Sequence, residues 1–281
     1  MICFRLLDSK DPAQPLVDAV QALAQSNANK GTYEVNPTSF RHIPNAPFAY
    51  WVSEKIRKLF VTLPAFEGGE RTAKVGLQTS DDFRFVRNAW ETPIDRNEQT
   101  KRTWFHFAKG GIYSPFYADI PLKVNWGNNG AEVRFFGDPS GYNPSSRPQN
   151  TEHYFHPGLT WPARTTSGIS LRVLPMNCVF GHKGPSMFLT KPDPSILLEV
   201  QTLTQSTPSQ ALISLQLAAA DAAARSYEVG VIQRTVIPEK HDERLPVIAQ
   251  HAWSKKRQPD TVNLTSHAFV APALSPRTHT F

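Results

Sequence analysis

The sequence predicts an α+β fold, a loop-rich mixed αβ domain with flanking helices. Two helical patterns open the chain, short strand-like runs separated by turns fill its middle, and helical patterning returns near its end. A third observation is the density of breakers, 24 Pro and 15 Gly in 281 residues. Proline fixes φ and removes a ladder donor, so scattered prolines predict many short elements joined by shaped loops.

Residues 12–26 predict an amphipathic helix with Leu16, Val20, Leu23 and Ala24 on its buried face and Pro15 tolerated in the first turn. Residues 33–48 read as extended and Pro-interrupted, holding Phe40, Ile43 and Phe48. Residues 50–60 predict a second helix that buries Val52, Ile56, Leu59 and Phe60 and leaves Arg57 and Lys58 solvated. From Lys74 onward the candidates are strands at 122–126, 132–136 and 171–174. Gly127-Asn128-Asn129-Gly130 predicts a hairpin turn between the first two. Residues 137–150 form a long polar loop, of a length that is usually functional or disordered. The best helix former is 211–225, followed by a strand at 227–234 and a Pro- and His-rich tail. This organisation divides the chain into a helical lead-in at 1–73, a core at 74–190 and a returning helix, strand and basic tail at 191–281.

Thirty Lys and Arg against 24 Asp and Glu give a formal charge of +6, a modest excess that suits a polyanionic partner. Two cysteines far apart, Cys3 and Cys178, argue against a disulfide scaffold or a structural zinc site. No apolar run is long enough to span a bilayer, and the expected setting is the reducing cytoplasm, with no membrane partner.

One stretch does not read as a packing element. Lys74-Val75-Gly76-Leu77-Gln78-Thr79-Ser80-Asp81-Asp82-Phe83-Arg84-Phe85-Val86-Arg87 sets two arginines one helical turn apart. Guanidinium forks at that spacing suit phosphates or guanine edges. Their rival is a structural pairing of one of them with Asp81 or Asp82. Thr79 can offer a hydroxyl to a phosphate or cap the 81–90 segment, and the cap is favoured. Lys109-Gly110-Gly111 brings a cation to backbone without Cβ atoms, where a phosphate can approach, or closes a plain turn. In the long loop, Arg147 matches guanine and Asn150 matches adenine. Lys255 and Arg257, with Lys256 between them, would contact DNA backbone or lie solvated. Trp104, Trp126 and Trp161 read as core.

The usual signatures of catalysis are absent from the sequence. No Asn/Asp-Pro-Pro-aromatic motif and no Gly-x-Gly turn after a strand occurs, so neither adenine stacking nor cofactor cradling has its usual residues. Pro192-Asp193 with Glu199-Val200-Gln201 is a loose echo of a metal-dependent nuclease pattern, with Gln where Lys is usual. His153 and His156 lack carboxylate or Cys companions at metal-ligand spacing.

The 74–87 stretch resembles the start of the target-recognition region of large N6-adenine DNA methyltransferases. These occur in fused restriction–modification proteins and in the BREX and DISARM phage-defence systems. The resemblance continues in order through 48–53, 107–111, 122–126 with Gly130, 146–150, 155–161, 172–175, 227–234 and 252–257. Together these resemble the C-terminal specificity half, downstream of a catalytic domain that this chain lacks. The resemblance implies duplex DNA as partner and a catalytic methyltransferase module or other defence subunits beside it. S-adenosylmethionine would belong to that module, with no cofactor or metal in this chain. It places Thr79, Arg84, Arg87, Lys109, Gly110, Gly111, Arg147, Asn150, Lys255 and Arg257 against DNA. A protein-docking module without base readout is the alternative.

Overall fold

The computed structural model describes residues 1–7, 10–25, 31–93, 102–142, 144–217 and 225–272. It is an α+β fold of short strands in small sheets with helices around them, as the sequence predicts. At the N-terminus, β1 (Ile2–Phe4) pairs antiparallel with β2 (Thr32–Glu34), and α1 (Ala13–Ala24) lies between them in sequence. The helix forms where predicted, but its buried residue is Ala19, while Leu16, Val17 and Val20 are exposed.

The 33–48 segment, expected to be extended, instead contains a 3-10 turn at Pro37–His42, started by the Asn36 side chain accepting from the Thr38 N–H. The helix α2 (Glu54–Thr62), capped by Ser53, reverses the predicted burial at Ile56 and Arg57, while Lys58 is exposed as expected and Val52, Leu59 and Phe60 are half-buried. Ile56 is 41% exposed and Arg57 only 3% exposed. The guanidinium of Arg57 donates to the carbonyls of Ala49 at 3.2 Å and Val52 at 2.7 Å, which is how a buried charge is made tolerable.

Two four-stranded sheets form the middle. β3 (Arg71–Lys74) leads to a short turn of helix, α3 (Asp82–Phe85), which runs directly into β4 (Val86–Asn88). β5 (Trp104–Ala108) and β6 (Leu122–Asn125) follow. The predicted hairpin partner at 132–136 is not a strand: α4 spans Gly127–Arg134. Asn128, Asn129 and Gly130 have φ of 51°, 56° and 72°, three left-handed residues in succession. A two-residue hairpin turn needs two, and the third delivers the chain into a helical turn that buries Val133. β6 pairs instead with β4 and β5. Next come β7 (Gly158–Thr160), β8 (Arg164–Thr165), β9 (Arg172–Leu174), β10 (Cys178–Phe180) and β11 (Ser186–Leu189). One sheet has the order β10-β5-β6-β4, with β10 parallel to β5; the other is β3-β11-β7-β9 and antiparallel.

The second sheet is a wall between two cores. Met187 on β11 faces a core with Leu159, Trp161 and Leu171, whereas its neighbour Phe188 faces one with Phe107, Val124, Trp126 and Phe180. Successive side chains of a strand point to opposite faces, so a strand buried on both sides reads as a continuous apolar run. Trp126 and Trp161 are core, as expected, and Trp104 is half-buried.

The C-terminal third is helical. α5 (Pro194–Gln205) and α6 (Thr207–Leu215) cover the first core, with β12 (Arg225–Ser226) pairing with β8. Of the helix expected at 211–225, residues 218–224 lie outside the described residues. The expected strand at 227–234 is a helix, α7 (Val229–Arg234). Adjacent Val231 and Ile232 are both buried in one core, a placement that helical spacing allows and strand alternation does not. The expected tail contains a full helix, α8 (Arg244–Arg257), packed on α5. Its signals were Pro246 in the first turn and three cations in the last, where they complement the helix dipole. Among the described residues no helix is long and apolar enough to cross a membrane.

Candidate nucleic-acid interface

The segment 75–80 runs between two others that the sequence places far away. On one side Leu77 N–H donates to the Phe180 carbonyl and His182 N–H to the Leu77 carbonyl, both at 2.9 Å. On the other, Gln78 and Arg147 exchange backbone hydrogen bonds of 3.0 and 2.8 Å. The Ser146 hydroxyl, fully buried, donates to the Thr79 carbonyl at 2.7 Å, and that of Ser80 to the Ser145 carbonyl at 2.5 Å. Asn150 donates its amide to the Val75 carbonyl at 2.8 Å. Gly76 is required by this seam, since a Cβ there would stand 2.0 Å from the Phe180 oxygen.

At the end of the segment the chain turns into α3. Its cap is Asp81, which accepts from the Arg84 N–H at 3.0 Å, so the cap expected of Thr79 belongs to a residue two positions on. An extended Asp one residue before the helix reaches the free N–H groups; Thr79 is too far back and donates to Asp82 at 2.6 Å instead. Asp82 also accepts from the Lys109 ammonium. Burial pushes the Asp82 carboxyl upward, but the bonds from Lys109 and Thr79 outweigh it and hold it below the ordinary value.

The arginines therefore do not pair with Asp81 or Asp82, the rival role considered for them. Arg84 is exposed and lies 5.4 Å from the ring centres of Phe85 and Phe136. Arg87 donates to the carbonyls of Phe83 and, at 2.8 Å, Val86, and lies over the rings of Phe83 and Trp104. Gly110 and Gly111 have φ of 92° and 121°. A Cβ on Gly110 would meet the Lys183 carbonyl at 2.4 Å, so this glycine serves the close approach of 181–184.

The convergence leaves a polar depression of about 380 Å³ lined by Gln78, Thr79, Ser80, Asp82, Lys109, His182 and Lys183, among others. His182 and Lys183 are exposed and escaped sequence reasoning. The available signal was the tetrapeptide Gly181-His182-Lys183-Gly184, two basic residues between glycines. Arg147 lines a shallow neighbouring surface with Arg134, Phe135 and Pro148. Thr79, Lys109 and Gly110 thus come together, with Arg84 and Arg87 on the adjoining turn and Arg147 and Asn150 on the loop stitched alongside. Lys255 and Arg257 stand on the last turn of α8. Arg257 stacks on Trp253 at 5.3 Å and donates to the Ala268 carbonyl at 3.3 Å. The intervening Lys256 reaches the Ser114 hydroxyl and the Pro115 carbonyl, and lines a cavity of about 530 Å³ with Lys109, Gly110 and Gly111.

The arrangement presents cations, hydroxyls and amide groups to a ligand. Among the described residues no three His, Cys, Asp or Glu side chains are grouped to hold a metal. The residues of the nuclease-like pattern have structural work: Asp193 caps α5, Glu199 is buried and accepts from His241 and the Asp242 N–H, and Gln201 donates to the carbonyls of Phe116 and Leu171. Cys178 is buried and its thiol is pushed up to about 12 by burial, which removes it as a nucleophile.

Comparison with known proteins points to one class: the relatives of this chain are adenine-specific methyltransferases, at low identity. The chain is 26% identical over 265 residues to the adenine-specific methyltransferase PglX of Lacticaseibacillus casei (strain Zhang), covering 90% of this chain and 21% of that protein. It is 27% identical over 196 residues to the adenine-specific methyltransferase BrxX of Escherichia coli O9:H4 (strain HS), covering 68% of this chain and 15% of that protein. The chain thus spans about a fifth or less of the length of these relatives. No protein-family model matches it.

Proposed function

We propose that this chain is the DNA target-recognition part of an adenine-N6 DNA methyltransferase acting in restriction–modification or phage defence. The observation that carries the reading is a match to adenine-specific methyltransferases along 90% of this chain but only 21% of the relative, which fits one functional part of a larger enzyme. The convergence of the 75–87, 107–111, 146–150 and 181–184 segments, which brings Lys109, Lys183 and Arg147 onto neighbouring surfaces, supports it. In this reading Arg84, Lys109, Gly111, Lys255 and Arg257 face the sugar-phosphate backbone, with Lys183 and His182 added to them, while Thr79, buried with its hydroxyl on Asp82, and Gly110, packed against the Lys183 carbonyl, shape the turns that present them. Arg87 braces the turn that carries Arg84 and lends its charge to the same surface. Arg147 stands exposed on the loop that reaches base edges, and Asn150, whose amide donates to the Val75 carbonyl, fastens that loop. The adenine and S-adenosylmethionine are handled by a catalytic module outside this chain, which is a partner alongside other defence subunits.

A protein-docking role without base readout remains the second reading, favoured by the exposed Leu16, Val17 and Val20 on α1. Titration of the chain with duplex DNA at increasing salt separates the two. Phosphate contacts release counterions and make affinity fall steeply with salt, and a docking module gives no such dependence.

A further inference from the structure

Phe83, in the middle of α3, leaves 90% of its surface in water. Burying a phenylalanine is worth about 1.5–3 kcal/mol, so an exposed one on a well-fixed turn forgoes stabilisation. The turn beneath it is fixed on every side. Asp81 accepts from Arg84, Asp82 is tied to Thr79 and Lys109, and the Phe83 carbonyl accepts from Arg87. The Arg87 guanidinium stands between two rings, 5.7 Å from that of Phe83 and 5.8 Å from that of Trp104. The ring therefore stands in water on a braced turn.

Its surroundings are those of a polyanion contact. Both neighbouring carboxylates are occupied, Asp81 by its cap and Asp82 by Lys109 and Thr79. Arg84 stands exposed beside the ring, and Lys183 shares the adjoining depression with Asp82 and Lys109. A ring serving a protein contact would be expected within an apolar patch rather than among cations.

We propose that Phe83 is a wedge that inserts between two base steps of bound duplex DNA, with Arg84 and Lys183 on the flanking phosphates. The proposal rests on the DNA-recognition reading and adds a distortion of the duplex to it. An apolar side chain entering a base step partly unstacks it and kinks the helix, which costs less where stacking is already weakened.

The test uses the full chain and 30-base-pair duplexes that differ only by one central mismatch, at a series of salt concentrations. Wild type is expected to bind the mismatched duplex roughly tenfold more tightly than the matched one. Phe83→Ala should abolish that preference with unchanged thermal stability and unchanged salt slope, and Phe83→Trp should retain it. Equal affinity of wild type for both duplexes overturns the wedge while leaving DNA recognition intact. So does a Phe83→Ala variant that keeps the preference, which would assign the mismatch discrimination to another group. Absence of duplex binding by wild type at low salt overturns the DNA reading and the wedge with it.

Discussion

Gln78 and Arg147 exchange two backbone hydrogen bonds, 3.0 and 2.8 Å long, across 69 positions of sequence (147 minus 78). This pair fastens the end of the 137–150 loop to the segment that leads into α3. It uses only main-chain atoms, so the Arg147 guanidinium is not needed to hold the loop.

Arg147→Ala should therefore leave stability within about 0.5 kcal/mol of wild type. If the side chain reads a base, the variant loses roughly 1–3 kcal/mol of preference at one position of the site, with non-specific affinity largely kept. Selection of bound sequences from a randomised duplex pool, repeated with the variant, measures this. Equal weakening for every sequence would assign Arg147 to a phosphate.

Arg57 and Lys58 should behave as opposites despite being adjacent and alike in sequence. Arg57→Ala removes the donor to two carbonyls in a buried site and should cost about 2–4 kcal/mol in urea denaturation. Lys58 pairs with Glu54 at the surface, so Lys58→Ala should cost no more than about 0.5 kcal/mol. Similar losses for both would contradict the burial assigned to Arg57.

His106 makes stability depend on pH. Burial, then the neighbouring His267, lowers its proton affinity from 6.5 to about 4. The unfolded chain therefore binds the proton more readily between these values, and stability must rise with pH across that window. The contribution is fully present above pH 6.5 and lost as pH falls towards 4. Urea midpoints measured from pH 4 to 7 should show a shallower acid fall in His106→Gln than in wild type. Parallel curves would show that His106 is not the group responsible.

The missing Asn/Asp-Pro-Pro-aromatic and Gly-x-Gly motifs predict that the isolated chain neither binds S-adenosylmethionine nor methylates DNA. Calorimetric titration tests this directly. Saturable binding at micromolar cofactor would refute it.

What the sequence made legible was local chemistry. The α+β class follows from breaker density, and 3.6-residue periodicity places α1 and α2 in the chain, although it misassigns the face each one buries. The seam itself was partly visible, because Gly76, Lys109-Gly110-Gly111 and the 146–150 run all stood out from ordinary packing patterns. What joins them was not, since a β-bridge such as Gln78 to Arg147 depends on backbone geometry that side-chain patterns do not encode. Burial of Arg57 was missed because its partners are carbonyls, which leave no trace in residue types. The 132–136 and 227–234 runs were read as strands because β-branched and aromatic residues carry a β preference that tertiary contacts overrode. Lys183 was hidden in a tetrapeptide whose significance appears only when 181–184 lies against Gly110.

The salt dependence of duplex DNA affinity tests the central claim most directly. Each phosphate neutralised by a cation contributes about −0.9 to the slope of log affinity against log salt. The account predicts a steep negative slope for wild type, flattened by about 0.9 in each of Arg84→Gln and Lys109→Gln. The Arg84 variant should keep wild-type thermal stability, because its guanidinium is exposed and unpaired with carboxylate among the described residues. A flat wild-type slope, or no duplex affinity even at low salt, would contradict DNA recognition by this chain.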